Sequence, residues 1–251
     1  MEKTLFKSSV LFLFSMLLFL PIGAHAEDSG ELISKEEGSS NVSGIEKAPD
    51  IKLTDFEIEE GLKAILRKGV EAAVAKLAVN DGFKENSAVK IEMPKSLKNV
   101  KRVLDDMGSE GLAKKYVLRL NRAAEQSSPK VGGYFIVAIN QFRIKEPAKI
   151  LAGGNKSATD YLKKRMHFGL SKVLRPIIIK DMKNSGVYRM YDEMIGIYRR
   201  VPYEPNVRSG AESYMVDKIL DAFFLYIGEE ERLIRENADK RTEESIKKLF
   251  P

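Results

Sequence analysis

Across residues 54–250, apolar side chains recur at three- and four-residue steps in segment after segment. That period is the feature that most narrows the folds open to this chain, because it lines one face of a helix and cannot line one face of a strand. Thr54 or Asp55 can cap a first helix carrying Leu62, Ile65, Leu66, Ala73 and Leu77. The tetrapeptide NDGF (80–83) stops it, with Asn80 or Gly82 suited to a left-handed cap. VKIEMP (89–94) is the one short extended stretch, and Pro94 then suits the first turn of a helix to about Met107. Gly108-Ser109 restarts the chain, with Ser109 as cap, and Pro129 begins a further helix to about Phe142. GGN (153–155) separates a short helix from a long one over 157–184, bent at Pro176, and helices over 187–199, 209–236 and 242–250 follow. With no nucleotide-binding βαβ unit and no repeat, the reading is an all-α, compact multi-helix bundle of about eight helices.

What precedes this domain has a different composition. Residues 1–26 join a basic start (Lys3, Lys7) to an apolar run over 10–20 and a small-x-small end at Ala24-His25-Ala26. That is the layout of a secretory signal peptide, with cleavage expected after Ala26. The run is broken by Ser15 and Pro21. It falls short of the roughly 20 apolar residues a bilayer span needs, so no transmembrane segment is expected in the mature protein. Residues 27–50 are rich in Gly and Ser and hold seven acids against two lysines. They lack apolar periodicity and read as a disordered acidic linker, with the helical domain over 51–251. The chain is +6 overall, +1 over 1–26 and −5 over 27–50, which leaves +10 on 51–251. An exported basic domain is drawn to anionic envelope components.

The chain has no cysteine, and His167 is the one histidine outside the leader. That removes disulfides, thiolate metal sites and thiol nucleophiles. Lys163, Lys164 and Arg165 crowd His167, which makes it a poor triad base. AGGNK (152–156) superficially resembles a phosphate loop, but Ile150 and Asn155 stand where that motif needs glycine. Ser87–Lys90 and Ser245–Lys248 match S-x-x-K without its partner motifs. Runs such as Glu229-Glu230-Glu231 fan around a helix and do not converge on an ion. No metal, cofactor or nucleic acid is expected.

The polar candidates come from helical counting. Leu112, Tyr116, Leu120, Ala123, Ala124 and Ser127 form one stripe, with Val117 and Leu118 off it beside Asn121, Arg122 and Glu125. A helix apolar on two sides is central, so the trio is partly enclosed. In the 209–236 helix, Val216, Leu220, Phe223, Phe224, Ile227 and Ile234 form the stripe. Glu229 falls opposite it, Glu230 and Glu231 fall on its margins, and Arg235 stands one turn after Glu231. The expectation is one polar cluster joining Arg122 and Glu125 to Glu230, Glu231 and Arg235.

DGF (81–83), NRAAE (121–125), SATDYL (157–162), EEERLIRENADKR (229–241) and IKKLF (246–250) occur in this order. From about Leu53 to the C-terminus the chain resembles the bacterial domain-of-unknown-function family numbered 4197. The resemblance implies an exported or lipid-anchored helical protein and brings no established activity. It also draws Thr159 and Tyr161 into the candidate set. The chain departs from the family pattern at Ala238, where proline is usual, and at Ala222, where glycine is usual.

Two functional classes stay open, with oligomeric state undetermined. One is a periplasmic, non-catalytic binding or envelope-associated module for an anionic or amphipathic ligand. The other is a cofactor-free hydrolase using a carboxylate pair drawn from Glu125, Glu230 and Glu231. The leader reading has a direct test: intact mass of the exported protein should place its N-terminus at Glu27, and retention of residues 1–26 would refute cleavage.

Overall fold

The computed structural model describes residues 52–199 and 208–250; the leader, the acidic linker and residues 200–207 lie outside them. Eight helices run in chain order: α1 (Asp55–Leu77), α2 (Lys98–Asp106), α3 (Glu110–Gln141), α4 (Pro147–Leu151), α5 (Ser157–Asn184), α6 (Val187–Tyr198), α7 (Arg208–Glu236) and α8 (Glu244–Leu249). Short 3₁₀ turns occupy Lys95–Leu97 and Ala238–Lys240, and no strand occurs among the described residues. The four long helices close a ring: α1 packs on α3 and α7, and α5 packs on the same two. α6 covers α3 and α2, while α4 and α8 lie against α1.

Local chemistry explains the boundaries. Thr54 and Glu57 form a reciprocal capping box: the Glu57 N–H donates to Thr54 Oγ1 and the Thr54 N–H to Glu57 Oε2. These bonds satisfy donors that an open helix start leaves unpaired. At the other end of α1 the left-handed residue is Asp81 (φ 65°) rather than Asn80 or Gly82. Gly82 is needed there for space, since a Cβ on it would lie 2.6 Å from the Lys76 carbonyl oxygen. Ser109 precedes α3 without a side-chain capping bond. Pro129 does not begin a helix: α3 runs through it for 32 residues, and α5 runs through Pro176. A proline removes one intrahelical bond. Here the helices on both flanks of α3 hold the axis, and the neighbouring Ser128 Oγ donates back to the Ala124 carbonyl.

The core follows the counted stripes. Tyr116, Leu120, Ala123 and Ala124 of α3 are buried, and so are all six apolar stripe residues of α7. At the centre Phe135 stacks on Phe223 (centroids 5.2 Å, 10° between planes) and meets Phe224 edge-on at 5.2 Å. The Tyr116 hydroxyl is fully buried with no hydrogen-bond partner, and burial pushes its pKa up. α1 and α7 cross closely at Gly69, where an added Cβ would stand 2.9 Å from the Ile227 Cα. Gly69→Ala should therefore destabilise the fold: overpacking costs about 1–3 kcal/mol against at most ~1 kcal/mol of gained helix propensity. Gly196→Ala, with open space at its Cβ, should be neutral or stabilising. Denaturant titration of both variants checks the contrast.

Candidate functional site

Asn121 and Glu125 lie buried on the same side of α3 and reach a segment that is not helical. Asn121 Nδ2 donates to the Ile91 carbonyl (2.9 Å), and its Oδ1 accepts the Ile91 N–H (3.0 Å). A side-chain amide here takes the place of a neighbouring strand. It explains how VKIEMP stays extended without a sheet, because a buried backbone must find partners for both its polar groups. One turn on, Glu125 Oε1 accepts the N–H groups of Phe83 (3.2 Å) and Lys84 (3.4 Å). Arg122 joins the two ends, donating to Glu125 Oε2 (2.6 Å) and to Asp81 Oδ1 (2.8 Å). Asp81 was not among the residues singled out by helical counting, although it stands in the DGF motif.

The second set sits where α4 ends and α5 begins. Glu231, fully buried on α7, accepts the N–H of Ala158 (3.0 Å), and the N–H and hydroxyl of Thr159 (2.7 Å each). α5 has no capping side chain of its own, so a carboxylate from another helix caps it. Arg235 Nε donates to Glu231 Oε1 at 3.0 Å, and its terminal nitrogens donate to the Leu151 carbonyl (2.9 Å) and Ser157 Oγ (3.0 Å). Arg241 closes the same end of α7 by donating to the carbonyls of Ile234, Arg235 and Phe250. Tyr161 is apart from this node: its hydroxyl accepts the Lys145 N–H at 3.1 Å, and its ring packs on Phe142.

The single cluster expected from counting is thus two networks, and no hydrogen bond or salt bridge joins them among the described residues. Glu230 belongs to neither; it meets Lys240 at 3.5 Å. Glu229 is half-buried near Lys76 instead of opposite the core in water. The counts set the apolar stripe of each helix, but two helices in a ring can hold polar margins facing different neighbours. The three glutamates named for a carboxylate pair do not come together. Glu125 and Glu231 each spend both oxygens on donors from the chain.

Beside the α5 node opens a pocket of about 380 Å³. Lys90 from the extended segment, Lys156 and Lys163 from the start of α5, and Lys218 from α7 line it, over an apolar floor of Ala222, Phe224 and Leu225. Lys163 is held by Asp221 (2.9 Å), and Lys90 meets Glu92 at 3.3 Å. Lys156 and Lys218 form no ion pair among the described residues; the Lys156 stem packs beside Gly228, and Lys218 lies over the Tyr214 ring. Four lysines against Asp160 and Asp221 leave the lining positive. Thr159 lines it too, and is the one candidate residue that does. The other contributors come from three distant segments, which no single-helix count could bring together.

Against known proteins, the family model described as a protein of unknown function, DUF4197, matches residues 52–251. The chain belongs to this family. The match spans every described helix, so both networks and the pocket are features of a DUF4197 domain. Neither a curated protein nor a solved structure matches the chain.

The networks carry a prediction about this DUF4197 domain. Glu231→Gln replaces one acceptor oxygen by a donor facing donors, and should cost about 3 kcal/mol, the scale for breaking a buried ion pair. Glu230→Gln removes only a long, half-exposed pair and should change stability by less than about 0.5 kcal/mol. Chemical denaturation separates them; a stabilised Glu231→Gln would show that the node is strained, not supportive.

Proposed function

We propose that this chain is an exported, non-catalytic module of the bacterial envelope whose ligand is a small anionic amphiphile held in the lysine-lined pocket. The observation that carries the reading is the pairing of two lysines without ion pairs, Lys156 and Lys218, with the apolar floor of Ala222, Phe224 and Leu225. Ligand pockets are mostly apolar with a few placed polar groups, and volumes of about 300–1,000 Å³ are usual. An anionic head would meet the ammonium groups while a short apolar tail lies over Phe224 and Leu225. The leader supports the compartment, and the positive balance of residues 51–251 supports an anionic partner.

The binding reading is favoured over hydrolysis because Glu125 and Glu231 are committed to backbone and side-chain donors of the chain. Titration calorimetry with dodecyl phosphate below its micelle concentration tests it. Binding should be tighter than to neutral dodecyl maltoside. The double change Lys156→Glu and Lys218→Glu should weaken it by at least about tenfold, given the Coulomb energy of two reversed charges at contact. Equal affinity for both detergents, or no effect of the double change with the fold intact, would overturn the proposal.

A further inference from the structure

Several of the exposed apolar side chains of the described residues belong to α3 and α5. Of seven large ones, three rim the groove between α3 and α5, Val137 (53% exposed), Val173 (49%) and Tyr134 (42%), and a fourth, Phe168 (71%), stands further round α5. Between the two helices runs a groove of about 560 Å³, in which Tyr134, Val137, Phe142, Met166 and Leu170 are prominent and Arg143 is the single charged lining residue. Gly169, on the groove lining, leaves open space there. Exposed apolar side chains rimming a groove mark a candidate interaction site.

Charge says what kind of partner fits. Residues 126–145 and 161–180, most of them the packed parts of α3 and α5, contain no Asp or Glu. They carry nine cations: Lys130, Arg143 and Lys145 in the first, and Lys163, Lys164, Arg165, Lys172, Arg175 and Lys180 in the second. Lys164, Arg165 and Lys172 form no ion pair among the described residues, and the Lys172 ammonium lies 4.3 Å over the Phe168 ring. At 100° per residue, Phe168 and Val173 bound an arc of about 140° on α5 that contains Arg165, Gly169, Lys172 and Pro176. Apolar side chains thus alternate with long cations whose stems can lie along hydrocarbon while their heads reach phosphate. Exposed apolar side chains flanked by Lys and Arg are a composition suited to a bilayer interface. A second copy of the chain would set the same cations against one another, and no helix of the described residues is long and apolar enough to span a membrane.

We infer that the α3–α5 face, with Phe168, Val173, Val137 and Tyr134 as its apolar contacts and Arg165 and Lys172 as its headgroup contacts, docks the protein onto an anionic phospholipid bilayer. The inference rests on the envelope compartment proposed above and uses a surface on a different side of α5 from the lysine pocket.

The test uses the chain from Glu27 onward, which holds every described helix. Cosedimentation with phosphatidylglycerol-containing vesicles should exceed that with phosphatidylcholine alone, and should fall as salt is raised. Phe168→Ser with Val173→Ser should lower partition onto the anionic vesicles by at least about tenfold, the scale for withdrawing two apolar side chains from hydrocarbon. Arg165→Glu with Lys172→Glu should do the same. Both pairs are exposed, so unchanged thermal unfolding should accompany the loss. Lys156→Glu with Lys218→Glu should dock better than either pair while losing dodecyl phosphate, so failure of the pocket and failure of the face are read separately. Equal sedimentation of wild type and the Phe168/Val173 variant would overturn the inference. So would a wild-type dimer that the Phe168/Val173 change dissociates in the absence of vesicle binding.

Discussion

The Glu231 carboxylate is the interaction on which the arrangement of the long helices turns. A helix end leaves backbone groups without partners, and α4 and α5 place two such ends together in the protein interior. Glu231 supplies acceptors to the start of α5 while Arg235, one turn later on α7, supplies donors to the end of α4. Each charge also matches the sign of the helix end it meets, negative at the N-terminus and positive at the C-terminus. Buried ion pairs often contribute little because desolvation cancels attraction. This pair differs in that backbone groups and the hydroxyls of Ser157 and Thr159 take up its other hydrogen bonds, so removing it would expose several groups at once. It also sets α5 against α7, and the lysine pocket lies across that junction.

The NRAAE segment applies the same logic to a stretch that is not helical. Residues between α1 and α2 must cross α3 without a sheet or helix to pair their backbone. Asn121 and Glu125 provide those partners from one turn of one helix, and Arg122 ties Glu125 to the Asp81 side chain. Polar residues in the middle of a packing helix therefore signal a buried loop alongside it. Their chemistry is used up in holding it: each oxygen of Glu125 has a donor from the chain, leaving none aimed at an open cavity.

The fold was legible because it depends on period and punctuation. Every long helix shows its apolar stripe, and the α7 stripe is buried residue for residue. Local stop signals were less reliable. Pro129 fails to break α3 because tertiary packing outweighs one lost hydrogen bond, and the left-handed turn falls to Asp81, whose side chain is engaged by Arg122. The site was less legible still. Helical counting gives each residue's direction on its own axis but not which neighbour stands there, so two networks were merged into one. The pocket lysines carry no motif, and their meeting is set by the ring of helices.

Where the acids go gives the surface its character. Glu59, Glu125, Asp181 and Glu231 are buried, and each is met by a cation: Lys63, Arg122, Lys130 and Arg235. Burial disfavours the Glu59 carboxylate, but Lys63 and the Ile144 N–H outweigh it and hold its pKa below the usual range. These pairs cancel locally and project little field. What remains outside is set by cations with no such partner, among them Lys156 and Lys218 at the pocket and Lys164, Arg165 and Lys172 on α5. A positive net charge spread evenly would only keep the protein soluble. Here the unpaired cations stand beside exposed or accessible apolar side chains at both places, and that pairing of charge with hydrocarbon is what an anionic amphiphile, free or in a bilayer, presents in return.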